Sequence, residues 1–536
     1  MSSQRNFFIF AFLFVSFLLW QAWQNQLILN NQNNKKNDSS SYLINKNKKK
    51  NYIFIKNDVM NLMINMYGGD IEEASLLAYK EKLYTSKPFK LLETTSNFIY
   101  QAQSGLSGKD GIDHLDNNER PLYFSKKRIF ELSYDDDTIS VPITYIGKNG
   151  IVYIKRFILK SGEYDVKVEY DIYNSTNKKL ELNMFGQLKQ TMHVPKTRNA
   201  YSGNFVLQTF RGAAYSSINE KYKKYKFDTI AKNENLHVIT QNGWVAMLQQ
   251  YFSTAWIPNS FYKNTLYTSY LEDGTVSIGY KSSSINILAH SKKTIGSTVW
   301  IGPEIQNKMA LVAPNLDLTV DYGWLWFLSQ PLFNLLSFLY KIIGNWGFSI
   351  IFITFIMRAI TYPLTKAQYI SVSKMRILQP KINILKERFK NDKKRLSQEV
   401  MLLYQKEKIN PLSGFLPVLI QMPIFLALYY MLMSSIELRH APFILWIKDL
   451  SSEDPYYILP ILMGFTMFFI HKMSSDNISD PLQQKIMNFM PVIFTVFFLW
   501  FPSGLVLYYI VSNIVTIIQQ RFILSNLDKK NKKENK

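Results

Sequence analysis

A single arginine lies inside an apolar stretch that is long enough to cross a bilayer. Arg358 is the only fully charged residue well within any of the chain's long apolar segments. An arginine at the centre of a membrane helix costs roughly 2.5 to 3.5 kcal/mol on insertion scales. Snorkelling is one escape from this cost, since Lys366 lies about 12 Å further along a helix. The alternative is a water-accessible cavity with a fixed positive charge, and Thr354, one turn earlier on the same helix face, favours it.

Polar side chains in two other apolar segments match that charge. Gln421 lies in one of them. Tyr509, Asn513 and Thr516 recur at i, i+4 and i+7 in the last one, which places them in one stripe of a helix. Hydrogen bonding between membrane helices is a sufficient explanation of such a stripe. Together with Arg358, these residues predict a polar groove within the membrane.

The sequence shows no motif for covalent, metal or nucleotide chemistry. Its serines alone leave a serine-based peptidase open, but no spacing favours one. There is no cysteine, so disulfides and thiolate nucleophiles are excluded. The six histidines are scattered, without metal-ligand spacing. Gly105 to Lys109 resembles a phosphate-binding loop, but it lacks the four-residue spacing before Gly-Lys and the Ser or Thr after it. The sequence therefore predicts a protein that is not an enzyme and that binds no cofactor and no metal.

The positive charge of the chain favours membrane orientation over nucleic-acid binding. The formal net charge is +22. Many of the lysines lie in Asn/Lys tracts or beside the apolar runs, where membrane topology uses them. A nucleic-acid interface needs instead a basic face on a folded domain, often with stacking aromatic residues.

The N-terminal half predicts an anchor, a linker and a β domain. Arg5 precedes the apolar stretch from Phe7 to Trp23, and no small-residue cleavage site follows, so residues 1–24 predict an uncleaved signal anchor that spans the membrane. Residues 25–51 are polar and of low complexity, which predicts a flexible linker. Residues 52–320 contain short alternating strands separated by turn signals, such as Val166 to Ile172. This spacing predicts an all-β sandwich.

Five apolar segments follow the β domain. The last one is too long for a single helix, and Pro502-Ser-Gly504 divides it into two crossings. The segments are Trp324–Tyr340, Trp346–Tyr362, Leu412–Met433, Tyr456–Ile470 and Met487–Ile523.

The charges of the loops decide which segments cross. The loop after Tyr362 is strongly basic, so the positive-inside rule places it in the cytoplasm. That placement requires Trp324 to Tyr340, which Gln330-Pro331 interrupts, to lie flat on the membrane as part of an interfacial amphipathic helix, residues 321–344. The prediction is six transmembrane helices, five of them in a core at 345–523, with both termini and a basic tail at 524–536 in the cytoplasm.

The basic loop has its own helical pattern. Met375, Leu378, Ile382, Leu385 and Phe389 recur at helical spacing, and a second such series follows Asn391-Asp392. Residues 365–410 therefore predict a cytoplasmic helical hairpin. Its lysines set topology and solubility, or also contact the ribosome or anionic lipid headgroups.

Seven motifs make the second half of the chain similar to the Gram-negative type of the Oxa/YidC family of membrane insertases. The resemblance extends from about Asp321 to Arg521, and the β domain agrees with the family in layout. The motifs are Gly347–Arg358, Tyr362–Gln368, Lys374–Lys381, Asn410-Pro-Leu, Gln421–Tyr430, Asp454–Pro460 and Phe501–Tyr509.

The resemblance implies a fold, a site and a set of partners. It implies a five-helix core around a hydrophilic groove that is closed to the periplasm, in which Arg358 receives polar parts of nascent membrane proteins, with Thr354 and Tyr509 at substrate-contact positions. It implies a periplasmic β-supersandwich that associates with accessory subunits of the Sec translocon, in a protein of the inner membrane. The chain would act alone or with that translocon, as insertase and folding chaperone.

Two alternatives stay open from the residues, namely a secondary transporter or channel for an anionic solute, and a purely structural assembly factor of the translocon.

Overall fold

Alternating apolar and polar residues build a β domain from the first described part of the chain. The computed structural model describes residues 51–113, 119–147, 149–192, 210–232, 234–271, 274–389, 392–407, 416–474 and 481–534. The predicted anchor at 1–24 and nearly all of the predicted linker at 25–51 lie outside these residues. In the strand Asp165–Asn174, Val166, Val168, Tyr170 and Ile172 are fully buried, so the predicted alternation is confirmed.

Two sheets form the β domain. The strands are β1 Tyr52–Lys56, β2 Met60–Asn65, β3 Asp70–Lys80, β4 Pro88–Thr94, β5 Ile99–Ser107, β6 Ile129–Glu131, β7 Thr138–Ile146, β8 Val152–Lys160, β9 Asp165–Asn174, β10 Leu180–Thr191, β11 Gly212–Ser216, β12 Lys223–Tyr225, β13 His237–Thr240, β14 Trp244–Gln249, β15 Phe252–Ile257, β16 Asn264–Tyr270, β17 Thr275–Ser282, β18 Ile285–Ile287 and β19 Ser291–Pro303. Two short helices accompany them, α1 Phe227–Ala231 and α2 Gln306–Val312.

The strand order brings distant parts of the sequence together. The larger sheet runs β13-β16-β17-β10-β5-β4-β3-β2-β1-β6, with β18 paired to β10, and the smaller runs β12-β11-β14-β15-β19-β9-β8-β7. Trp244, Trp256 and Trp300 are completely buried in the core of the domain. The domain is therefore mostly β over these residues, and its sandwich arrangement stays a prediction.

A buried cluster of charges lies within this apolar core. Arg120 donates from Nε to Asp113 at 2.6 Å and forms a bidentate pair with Asp70, at 2.8 and 3.1 Å. Lys155, fully buried, donates to the carbonyl oxygens of Gly68, Gly69 and Ser104 at 2.8 to 3.0 Å. Burial lowers the pKa of Lys155 to about 7, although the nearby carboxylates oppose that shift.

The turn between β2 and β3 is shaped for that cluster. Gly68 and Gly69 both have φ in the left-handed region, at 72° and 64°. A Cβ on Gly68 would lie 2.5 Å from the guanidinium of Arg120. Glycine is thus required at this position for the backbone conformation and for the close approach of the arginine.

A second unit, residues 322–433 and 437–534, is helical. Its helices are α3 Trp326–Ile343, α4 Trp346–Ile360, α5 Tyr362–Arg388, α6 Lys393–Lys406, α7 Leu416–Ser434, α8 Ile458–Ser474, α9 Pro481–Phe498 and α10 Ser503–Glu534. The break between α9 and α10 falls at the predicted Pro502-Ser-Gly504. Leu378 and Ile382 of α5 pack against Val400, Leu403 and Tyr404 of α6. The helical hairpin predicted at 365–410 lies partly outside the described residues and stays a prediction.

One local prediction was wrong. Gln330-Pro331 was expected to interrupt its segment, but α3 continues through Pro331. The missing backbone N–H removes one hydrogen bond near the start of the helix. Packing offsets that loss, because Leu332 and Phe333 are buried and the Ser329 hydroxyl donates to the carbonyl oxygen of Ala427 at 2.9 Å.

Length and hydropathy identify few of the described helices as membrane spans. Ser503–Leu527 is long and apolar enough to cross a bilayer, and the pair Trp346–Ile360 and Tyr362–Ser371, bent by 57°, is a second span if its two parts are taken together. Shorter apolar helical segments accompany them, at Gln421–Ser434, Ile458–Met473 and Phe489–Phe498. The six predicted crossings therefore stay a prediction.

Candidate functional site

The helix α4 presents Arg358 near its C-terminal end. Asn345 caps the helix, since its side chain accepts a hydrogen bond from the N–H of Phe348 at 3.1 Å. The helix ends at Ile360, just before Pro363, which stands in the first turn of α5 and cannot donate a backbone hydrogen bond. Arg358 is consequently held in the last turn of α4, where it is 9% exposed.

Neutral side chains from two other helices hold the guanidinium. Nε of Arg358 donates to the hydroxyl of Ser512 on α10 at 2.9 Å, and Nη2 donates to the same oxygen. Nη1 donates to the amide oxygen of Gln421 on α7 at 3.4 Å. The arrangement joins α4, α7 and α10 at one buried cation.

A cavity lies beside this cation. Thr361, Thr365 and Gln421 give it polar groups, while Met357, Leu364 and Ile424 give it apolar ones. We call it the Arg358 cavity, and its lining residues are Met357, Arg358, Thr361, Leu364, Thr365, Gln421, Ile424 and Tyr508.

Hydrogen bonds also support the bend between α4 and α5. The amide of Gln519 on α10 donates to the carbonyl oxygen of Arg358 at 3.3 Å. The hydroxyl of Thr361 donates to the carbonyl oxygen of Met357 at 2.9 Å, and Tyr369 donates to Gln520 at 3.3 Å. The contact from Gln519 gives a partner to a carbonyl group in the last turn of α4, and the other two fix the side chains around the bend.

Two other predicted site residues, Thr354 and Tyr509, make their contacts away from the guanidinium of Arg358. Thr354 is fully buried, and its hydroxyl donates to the carbonyl oxygen of Ile350 within α4. Tyr509 packs edge-on against Phe425 and Phe498, with ring centroids 5.0 and 4.9 Å apart. Neither residue is hydrogen-bonded to Arg358 in the described part of the chain.

Two members of the predicted stripe on α10 make contacts away from the cation. The amide of Asn513 donates to the hydroxyl of Thr466 on α8 at 3.0 Å. The hydroxyl of Thr516 donates to the carbonyl oxygen of Ser512 within its own helix, at 2.8 Å. The stripe thus faces more than one neighbour, and Gln421 is the predicted partner that the structure brings to Arg358.

Sequence reasoning missed Ser512. It lies three residues after Tyr509 and four before Thr516, and so belongs to the same helical face by spacing. A helical plot of that face, with small hydroxyl residues included, would have found it. Among the described residues, no group of three or more His, Asp or Glu side chains is placed to hold a metal ion.

Comparison with known protein families covers nearly all of the described chain. Residues 52–335 match the family model described as the YidC periplasmic domain, and residues 338–531 match the one described as 60Kd inner membrane protein. The chain belongs to the YidC family of membrane protein insertases. The family that the sequence motifs indicated is thereby confirmed.

Relatives of the YidC family match over their whole length. A protein named membrane protein insertase YidC from Buchnera aphidicola subsp. Acyrthosiphon pisum (strain 5A) is 69% identical, over 99% of this chain and 100% of the relative. Its namesake from the Schizaphis graminum subspecies is 68% identical over the same shares. A crystal structure described as an active YidC insertase with its first transmembrane domain resolved is 19% identical, covers 88% of this chain and 92% of its own, and has a TM-score of 0.37.

Proposed function

We propose that this chain inserts nascent proteins into the inner membrane and assists their folding there, alone or together with the Sec translocon. Its membership of a family of insertases supports the general activity. The observation that carries the site is Arg358, a cation 9% exposed that neutral acceptors hold at the edge of a cavity. A charge in such a place costs free energy, and this cost favours a functional role for the residue.

The bilayer's cost for polar groups explains what the cation does. Each unpaired polar group that enters hydrocarbon costs several kcal/mol. A short polar segment of the client enters the Arg358 cavity, where hydrogen bonds from the guanidinium replace part of its hydration. The client's apolar helix then moves into lipid, and its burial supplies the free energy at roughly 25 cal/mol per Å². No nucleotide hydrolysis enters this scheme.

The topology belongs to the same proposal. Six helices cross the membrane, five of them in the core at 345–523, with both termini in the cytoplasm, and the β domain at 52–320 lies in the periplasm. The descriptions of the two matching family models, an inner membrane protein and a periplasmic domain, support this placement. The helix α3 lies in the interface: Leu332 and Leu336 are buried on one side, while Phe327 and Phe338 are more than half exposed.

Charged surfaces indicate the partners. Lys374, Lys381 and Arg388 are exposed on α5 at i, i+7 and i+14, so they share one face of the cytoplasmic hairpin. Such a face attracts ribosomal RNA or anionic lipid headgroups, and the basic tail at 524–536 adds to it. The β domain is the part that contacts accessory subunits of the Sec translocon.

Insertion into liposomes by the purified chain tests the proposal. A small phage-coat-like client is added, and its protease-protected fraction is measured for wild type, Arg358→Ala and Arg358→Lys. We expect wild type to insert the client, Arg358→Lys to retain most of the activity because its charge stays, and Arg358→Ala to lose it. Arg521→Ala is the matched control, because Arg521 is an exposed arginine of α10.

Three outcomes count against the proposal. No insertion above that of empty liposomes would reject autonomous insertion by this chain and would favour an accessory role. Insertion that is equal for Arg358→Ala and wild type would reject the role of the cation. Flux of a small anion through the same liposomes, lost with Arg358→Ala, would favour a transporter instead.

A further inference from the structure

One serine hydroxyl receives two of the hydrogen bonds that Arg358 makes. Nε and Nη2 lie on the same edge of the planar guanidinium, and both donate to the hydroxyl oxygen of Ser512. This edge is therefore fully occupied from within the protein. The neighbouring edge, formed by Nη1 and Nη2, keeps further N–H groups, because Gln421 accepts only one hydrogen bond, from Nη1 at 3.4 Å.

Ser512 is suited to fix an orientation. It is 1% exposed and lies within α10, so its Cβ has little freedom to move. Its single side-chain torsion leaves the oxygen few positions, whereas the long arginine side chain has many rotamers to lose.

The occupied edge determines which edge meets a client. The guanidinium is a rigid fork, and its Nη1–Nη2 edge matches a carboxylate or a pair of carbonyl oxygens. With the other edge on Ser512, this edge is the one available to the Arg358 cavity, whose lining includes Thr361 and Gln421. A guanidinium released from Ser512 would rotate and offer the client no fixed pair of donors.

We propose that Ser512 is a positioning residue of the insertion site, which orients Arg358 so that its Nη1–Nη2 edge receives the polar or acidic segment of the client. This inference rests on the proposed function of Arg358 as the client-binding cation. It adds that acidic clients gain most from the arrangement, since a carboxylate can take both donors of that edge at once.

Three substitutions at position 512 separate the effect of the hydroxyl group from the effect of side-chain packing. Ser512→Ala removes the acceptor, Ser512→Thr keeps it, and Ser512→Val has the shape of threonine without a hydroxyl. Rates of insertion into liposomes are measured for one client with an aspartate in its polar segment and for the same client with asparagine there. Ser349→Ala is the matched control: Ser349 is a fully buried serine of α4 whose hydroxyl donates to the carbonyl oxygen of Asn345.

The hydroxyl should decide the result. We expect Ser512→Ala and Ser512→Val to insert the aspartate client about tenfold more slowly than wild type, the scale of a lost hydrogen bond to a charged group, and Ser512→Thr to be close to wild type. The preference for the aspartate client over the asparagine client should fall towards one in the alanine and valine variants. In an Arg358→Ala background, Ser512→Ala should add nothing, because it acts through the arginine.

The failures of the two proposals can be told apart. Wild-type rates and client preference in Ser512→Ala and Ser512→Val, with activity still lost in Arg358→Ala, overturn the role of Ser512 alone. Equal losses in the threonine and valine variants, with Ser512→Ala unaffected, show a packing role and also overturn it. Wild-type activity in Arg358→Ala overturns the proposed function and this inference together.

Discussion

Replacement of Arg120 by leucine tests the buried charge cluster of the β domain. The side chains of Arg120, Asp70 and Asp113 are 9%, 8% and 1% exposed, so water does not replace the arginine once it is gone. Arg120→Leu leaves two buried carboxylates, of which Asp113 loses its bond to Nε and Asp70 loses a bidentate pair. Lys155 stays nearby as the remaining cation.

The magnitude follows from the burial of the pair. Removal of one partner of a buried ion pair costs about 3 to 5 kcal/mol, because the other charge stays in a place of low dielectric. At about 2 to 4 °C per kcal/mol for a domain of this size, the unfolding temperature should fall by about 6 to 20 °C. The assay is thermal unfolding of residues 52–321, which form a compact unit with their own core, monitored by circular dichroism. Arg128→Leu, an exposed arginine of the same segment, should change stability by less than about 0.5 kcal/mol.

The loss should also depend on pH. Burial raises the pKa of Asp113, and the charge of Arg120 opposes that shift, so the variant raises this pKa further above its unfolded value. At a pH between the pKa of Asp113 in the unfolded chain and its higher pKa in the folded variant, the folded variant binds a proton that the unfolded chain does not. Its lost stability is therefore regained as the pH falls through this window, and the difference from wild type should be smaller at pH 5 than at pH 8. Equal unfolding temperatures for Arg120→Leu and Arg128→Leu would refute the reasoning.

Two predictions concern the packing of the helices. Gly347→Ala should destabilise the detergent-purified chain by about 1 to 3 kcal/mol, because the added Cβ would overlap the ring of Phe443. In a Phe443→Ala background this overlap is removed. The same change should then be neutral or stabilising, since alanine favours a helix over glycine by about 1 kcal/mol. Destabilisation that persists in that background would contradict the steric explanation. Asn513→Ala and Thr466→Ala should each lower the unfolding free energy in detergent by about 0.6 kcal/mol, because each removes the hydrogen bond between α10 and α8. The double variant should lose no more than either single variant, since both changes remove the same bond. Additive losses would show that the two side chains act separately.

Local signals predicted much of the secondary structure. The period of two in β9 and the break at Pro502 each depend on a few neighbouring residues, and each reappears in the structure. The continuation of α3 through Pro331 was missed because it depends on contacts with α7, which the sequence does not display. Local pattern thus predicts where an element exists better than where it ends.

Contacts between residues that are distant along the chain could not be predicted from the sequence. Lys155 meets the carbonyl oxygen of Gly68 because β8 and the turn before β3 come together, 87 residues apart in the chain. Arg358 could be singled out by its cost in an apolar segment, but the choice of Ser512 over Asn513 as its partner depends on the rotation of α10 about its axis. A difference of one residue rotates a side chain by about 100°, which spacing alone does not resolve.

The break between α4 and α5 also has an electrostatic effect at Arg358. The last carbonyl groups of a helix carry the equivalent of about half a negative charge, and Arg358 lies in that last turn of α4. This dipole stabilises the cation, and among the described residues no carboxylate is hydrogen-bonded to it. A fixed carboxylate would compete with every client for the guanidinium, whereas a helix dipole occupies none of its donors. Under the proposed function, the early end of α4 leaves a charge that binds one client after another and releases each of them.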